Sequence, residues 1–190
     1  MRAAASLGSV AAMEPETDGP APVAVADPNF SPDDDAGTLL AKAYQGEVLG
    51  EILFGGMAAR TEDASRRAKL EVLTTLERRT KEAMVPAMER HGVSTERDPG
   101  SVHAAEVLVE ATATMAWSDV WASTEAITAQ FVALYERIGE VDPAERDIVT
   151  LLVAHERALC DFARKELAGE AEGSLAAIDA LPHMQGEAVR

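Results

Sequence analysis

GVSTERDPGSVHAAEVLVEATAT, residues 92–114, is the stretch on which the fold turns. Long helix-forming runs flank it, from about Leu39 to Arg60 and Asp63 to His91 on one side, and from about Met115 to Arg137 and Asp142 to Ala168 on the other. Turn signals such as HGVSTERDPG and IGEVDP separate them. Asp142 followed by Pro143 is a good helix start, because Asp caps free amides and Pro needs no donor in the first turn. If 92–114 is a crossover with its own short helix (VHAAEVLVEA), the second and third long helices run parallel in an all-α bundle with one long connection. If the third helix instead starts at Val102 and runs on to Arg137, the bundle is a plain up-down-up-down one. The four runs are 22 to 29 residues long, or roughly 33 to 44 Å, whereas the continuous helix would exceed about 50 Å. Matched lengths favour the crossover.

Working outward, residues 1–37 hold five prolines, seven acids and the single base Arg2, with too little apolar surface to offset the entropy of ordering them, which predicts a disordered acidic tail. The bundle is expected over 38–168, and 169–190 holds another possible short helix, SLAAIDAL. The opening MRAAASLGSVAAM is a poor secretory signal and reads equally as an extension upstream of Met13. A formal charge of -16, with no Lys/Arg run longer than two, argues against nucleic acid and anionic membranes as partners. No stretch approaches the roughly 20 apolar residues of a membrane span. Cys160 is the only cysteine, so an intramolecular disulfide and multi-cysteine metal sites are excluded and a cytoplasmic location is expected.

At about 100° per residue, the first helix puts Lys42, Gln45 and Arg60 on its solvent side and aims Glu47 and Glu51 nearly opposite, among Leu40, Ala43, Phe54 and Ala58. In the second, Glu77 falls inside the stripe of Leu70, Leu73, Thr80 and Met84. In the fourth, His155 projects with Ile148, Leu151, Leu159 and Phe162, and Glu156 lies on a flank. Glu47, Glu77 and His155 each stand near the middle of their helix, so a bundle of equal helices brings them to one layer. The third helix offers Glu125 at that height, on the flank of a stripe of Trp117, Trp121, Thr124, Thr128, Phe131 and Tyr135. Arg78, Arg79 and Lys81 fall off the inward stripe, so protons or a metal cation must answer the buried acids. Carboxylates with one imidazole suit iron, manganese or zinc.

The stretches AYQGEVLGEILF (43–54), LEVLTTLERRT (70–80) and LLVAHERALCDFARKEL (151–167), with the third helix, resemble the ferritin-like superfamily of carboxylate-bridged dimetal bundles. There, two helices each give a Glu and two others each give a Glu-x-x-His pair. The resemblance spans residues 38–168 and is one of layout. It implies a ferritin-like four-helix bundle with its long crossover between the second and third helices, and an iron (or manganese) centre for redox or oxygen-dependent chemistry. Glu47, Glu77 and His155 are the expected ligands, with Glu51, Glu125 and Glu156 for the remaining positions. The sequence departs from the pattern at three places: Thr80 stands three residues after Glu77, Leu152 three before His155, and Leu159 three after Glu156. A dinuclear site, a one-metal site and a metal-free vestigial bundle, acting by binding, assembly or acid-base chemistry, are all compatible with these residues.

Tyr44, Phe54, Trp117, Trp121, Thr124, Phe131 and Tyr135 are expected to wall a pocket for a small apolar molecule beside the polar layer, or else to be ordinary core. Gly46, Gly50, Gly55 and Gly56 each cost a helix about 1 kcal/mol relative to Ala, and permit either close helix approach or room for a ligand. His103, Glu106 and Glu110 share one face of the connecting segment, and a solvated face is the expectation there. Pairing of two copies through flank residues is also expected.

Overall fold

In a computed structural model, residues 29–185 are described; residues 1–28 of the expected acidic tail, and 186–190, lie outside them. The described residues are helical and contain no strand. Four long helices, α1 (Ala36–Arg60), α2 (Ala64–Arg90), α4 (Trp117–Val141) and α5 (Arg146–Ala168), are joined by the shorter α3 (Pro99–Thr112) and followed by a one-turn α6 (Ala176–Asp179). No helix among the described residues is long and apolar enough to cross a membrane.

Side chains that favour helix boundaries set the ends. Asp35, Asp63 and Asp98 accept backbone N–H bonds from the first turns of α1, α2 and α3, the last with Pro99 and Gly100 at the helix start. Asp142 caps a short 3-10 turn, Pro143–Glu145, that leads into α5. Gly169, at φ 75°, ends α5 in the left-handed conformation that only glycine adopts at no steric cost. Helix α1 begins three residues earlier than the sequence pattern suggests, because Asp35 supplies its cap.

Segment 92–114 is a crossover. The Gln45 amide donates to the Glu96 carbonyl and its carbonyl accepts from the Asp98 N–H, while Arg60 at the far end of α1 reaches the Val109 carbonyl and the Glu110 carboxylate. Helix α3 therefore runs alongside α1 in the same direction and returns the chain to the end where α2 began. Trp117, at the start of α4, donates to Glu166 near the end of α5. Lys69, early in α2, meets that same carboxylate. So α4 runs parallel to α2 and antiparallel to α1, and α5 antiparallel to both α2 and α4.

Among the described residues the core has two large apolar blocks and a small third one, Leu49, Ala105 and Leu108, between α1 and α3. One large block gathers Leu39, Leu40, Val48, Met84, Met88, Leu134, Ile138 and Leu152; the other gathers Phe54, Leu70, Leu73, Leu76, Trp121, Phe162, Ile178 and Leu181. Between them, in the middle of the four long helices, lie the buried polar residues Glu47, Glu77, Thr80, His155 and Glu156. The segment after α5 closes one end through Ile178, Leu181 and Ser174.

Close approach of α3 to α1 depends on Gly56: a Cβ there would stand 2.5 Å from Cγ2 of Val109. Gly56→Ala gains helix propensity of about 1 kcal/mol but overpacks this seam, so it is expected to destabilise the protein by about 1–3 kcal/mol in urea denaturation. The double variant Gly56→Ala/Val109→Ala recovers most of that loss; an unchanged loss would place the strain elsewhere.

Candidate metal centre

Glu47 from α1, Glu77 from α2 and His155 from α5 each offer a ligand atom within 4.8 Å of the others, and all three are buried. Nε2 of His155 lies 3.7 Å from Oε2 of Glu47 and 3.8 Å from Oε2 of Glu77. Those separations are too long for hydrogen bonds. They suit two ligand atoms around a shared cation with bonds of about 2.0–2.2 Å. Oε1 of Glu47 accepts from the Tyr135 hydroxyl at 2.8 Å. Its Oε2, facing the imidazole, has no hydrogen-bond partner.

The tautomer of His155 follows from Thr80. The threonine hydroxyl donates its one proton to the Leu76 carbonyl at 3.0 Å, so it can only accept from the imidazoles around it. Nδ1–H of His155 donates to it at 2.9 Å, and Nε2–H of His183 at 3.3 Å. This leaves Nε2 of His155 with a lone pair aimed at the two carboxylates, as a metal-ligating imidazole requires. It also accounts for the buried, unpartnered Nδ1 of His183. Burial, and then the neighbouring His155, hold His183 below its usual pKa.

Electrostatics in the layer are dominated by lost hydration. Burial first, then the charge of Glu47, a side-chain hydrogen bond with it and the charge of Glu156, push Glu77 well above the ordinary carboxylate range, against the pull of Lys81. Burial and the Glu47 charge do the same to Glu156, whose Oε2 is also unpartnered. Burial, followed by Glu47 and Glu156, raises the Tyr135 phenol. A divalent cation bound by Glu47 and Glu77 would reverse the local preference for protons.

The layer opens on one side into a cavity of ≈ 490 Å³. Helix α1 lines it with Gly46, Gly50 and Phe54, α3 with Leu108 and Thr112, and α4 with Val120, Thr124, Ile127 and Phe131; Glu47, Glu77, Tyr135, His155 and Glu156 form its inner end. Two glycines leave room for this arrangement. A Cβ at Gly50 would stand 2.7 Å from the Glu77 carboxylate, and one at Gly46 2.9 Å from the Phe131 ring. Gly50 thus lets Glu77 pass across α1, while Gly56 serves helix approach.

Several residues picked from the sequence lie elsewhere. Glu51 sits outside the cluster, in the seam between α1, α2 and the loop before α3, bound by Lys81 and by Arg97 at 3.0 Å. Lys81 is itself buried, so one base of α2 does turn toward the interior, to Glu51. Glu125 faces outward and accepts from Arg164 at 2.7 Å. Of the expected pocket residues, Phe54, Thr124, Phe131 and Tyr135 line the cavity and Tyr44, Trp117 and Trp121 do not. The two tryptophans pack edge to face at 5.0 Å and Trp121 contacts Phe162 at 4.7 Å, while Tyr44 belongs to the apolar block at the other end. His103, Glu106 and Glu110 stay exposed, Glu110 beside Arg60. Sequence reasoning missed His183, in a segment without periodicity, and the contribution of α3 to the cavity wall.

Comparison with protein-family models, with curated proteins and with solved structures gave no match.

Folding raises the affinity of Glu77 and Glu156 for protons, so their contribution to stability is fully present below pH 4.5, the ordinary glutamate value, and is lost as pH rises through the elevated folded values. His183 works the other way below its ordinary 6.5, so the comparison is best made variant against parent. In chelator, Glu77→Gln is expected to gain stability over the parent as pH is raised from about 5.5 to 8.5, reaching about 1–3 kcal/mol in urea denaturation. A variant less stable than the parent at the upper end would show that Glu77 is compensated without metal.

Proposed function

We propose that the protein is a ferritin-like helical bundle with a metal-dependent oxidoreductase or oxygenase activity on a small molecule held in the cavity, with iron as the metal. The observation that carries this reading is the unpartnered Oε2 of Glu47 facing the lone pair of His155 Nε2 in a buried layer where, among the described residues, no Lys or Arg forms an ion pair with Glu47 or Glu77. Glu47, Glu77 and His155 would hold the ion. Hard carboxylate oxygens with one imidazole suit iron or manganese. A bound iron supplies one-electron redox chemistry and the capacity to activate oxygen. Thr80 fixes the ring of His155, Tyr135 orients Glu47, and the apolar wall keeps bulk water from the layer.

The direction of the α helices and the crossover through α3 support the ferritin-like reading of the fold. The ligand pattern supports one metal rather than two. Leu152, at the place of a second Glu-x-x-His carboxylate, is fully buried in an apolar block, and Leu159 lines the cavity. A second reading, a metal-free bundle in which a buried Glu moves protons, draws on the raised affinity of Glu77 and Glu156 for protons.

Metal content separates the two. Protein purified after growth with iron and manganese is expected to carry about one metal per chain by elemental analysis, with an anomalous-scattering peak between Glu47, Glu77 and His155. Thr80→Val, which leaves Nδ1 of His155 unheld, is expected to weaken metal binding by about 10- to 100-fold while the helical content is unchanged. Metal-free parent protein, combined with a Glu77→Ala variant as stable as the parent, would end the metal reading.

A further inference from the structure

One carboxyl of the layer is left over by the metal reading. Glu156 is 5% exposed, its Oε2 has no hydrogen-bond partner, and its side chain lies on the cavity wall outside the Glu47–Glu77–His155 group. A buried carboxyl left short of partners is unfavourable, and a donor carried in by a cavity ligand to that group lessens the penalty.

The wall around it restricts what the ligand can be. Every hydroxyl on it has already spent its proton: Thr112, Thr114, Ser123 and Thr124 donate to carbonyls of their own turns, and Tyr135 donates to Glu47. The N–H of His155 goes to Thr80. The wall's hydroxyls and its imidazole therefore offer an incoming molecule lone pairs and no free N–H or O–H. The ionisable side chains, His155 aside, are all acidic as well. Asp119 stands at the rim and three glutamates within, and no Lys or Arg is among the residues lining the cavity. In a poorly hydrated cleft, charge of one sign selects ligands of the other. The remaining surface, with Phe54, Phe131, Leu108 and Leu159, is apolar.

From this geometry we infer that the cavity binds a small amine, its apolar body against Phe54, Phe131 and Leu159 and its nitrogen donating to the Glu156 carboxyl. The inference rests on the reading of the cavity as a substrate pocket and names the class of substrate. An alcohol brings one donor but no positive charge; a carboxylate brings an acceptor and a like charge. Ammonium character also offsets the hydration that burial removes from the carboxylate.

The test is calorimetric titration of the full chain with 2-phenylethylamine, 2-phenylethanol and 3-phenylpropanoate, in chelator and again after loading with Mn(II). The amine is expected to bind at least ten-fold more tightly than the alcohol, with no binding of the propanoate. Glu156→Gln is expected to bring amine and alcohol within three-fold of each other, and Ile127→Trp, on the cavity wall, to weaken both. Equal binding of amine and alcohol by the parent, any binding of the propanoate at the amine's affinity, or amine preference that survives Glu156→Gln overturns the proposal. The parent series decides the matter even if Glu156→Gln does not fold. Amine selectivity in a chain that takes up no Mn(II) leaves this inference standing and counts against the metal centre; Mn(II) uptake without amine selectivity does the reverse.

Discussion

Three glutamates and a histidine share one layer of the bundle interior, and each has lost its water there. A carboxylate buried without a partner costs several kcal/mol, yet several bases of the described helices are engaged elsewhere. Lys81 goes to Glu51, Lys69 to Glu166 and Arg90 to Glu145, while Arg79 donates to the carbonyls of His183 and Met184. The ion pairs lie around the seams and at the ends of the bundle, and the middle has none. The apolar blocks on either side therefore carry the stability that the layer gives up. That division of the core, apolar at both ends and acidic in the middle, is what a cation-binding function asks of a helical bundle.

Position 80 shows how the layer departs from a two-metal pattern while staying ordered. A histidine three residues after Glu77 would add a ligand. Threonine instead uses its hydroxyl twice, donating to Leu76 and accepting from His155. The side chain at that position supports the one imidazole in the cluster, fixing which of its nitrogens faces the carboxylates. Leu152 and Leu159 complete the departure by extending apolar packing where further ligands would stand.

Residues near the centre of an apolar stripe were legible from sequence, because helical period and helix midpoint together locate a side chain in a bundle of matched helices. Glu47, Glu77 and His155 meet on that basis, and the crossover followed from matching helix lengths. Flank positions were not legible. Glu125, on a flank, stands at a suitable height but meets Arg164, and Glu51, which periodicity turns inward, meets Lys81 instead. Glu156, also on a flank, turns inward. The tryptophans were drawn away from the cavity by the edge-to-face contacts among Trp117, Trp121 and Phe162, which periodicity does not encode. His183 is beyond such reasoning altogether, since its contact with Thr80 spans 103 residues.

The two sides of the layer are finished differently, and the difference sets the direction of access. Toward the segment after α5, the His183 ring closes against Thr80 and Arg79 pins the backbone of His183 and Met184. Toward α3, the cavity reaches from Glu47 and Glu156 out to Thr124, Ile127 and Phe131, which are half-buried, and to the exposed Asp119. Helix α3 forms the far wall of that opening, and it does so because the crossover runs along α1 instead of continuing into α4. The topology is thus part of the site: a continuous third helix would remove the wall contributed by Leu108 and Thr112. A molecule approaching the cluster must pass between α3 and α4, where the walls are apolar and the available polar atoms accept rather than donate.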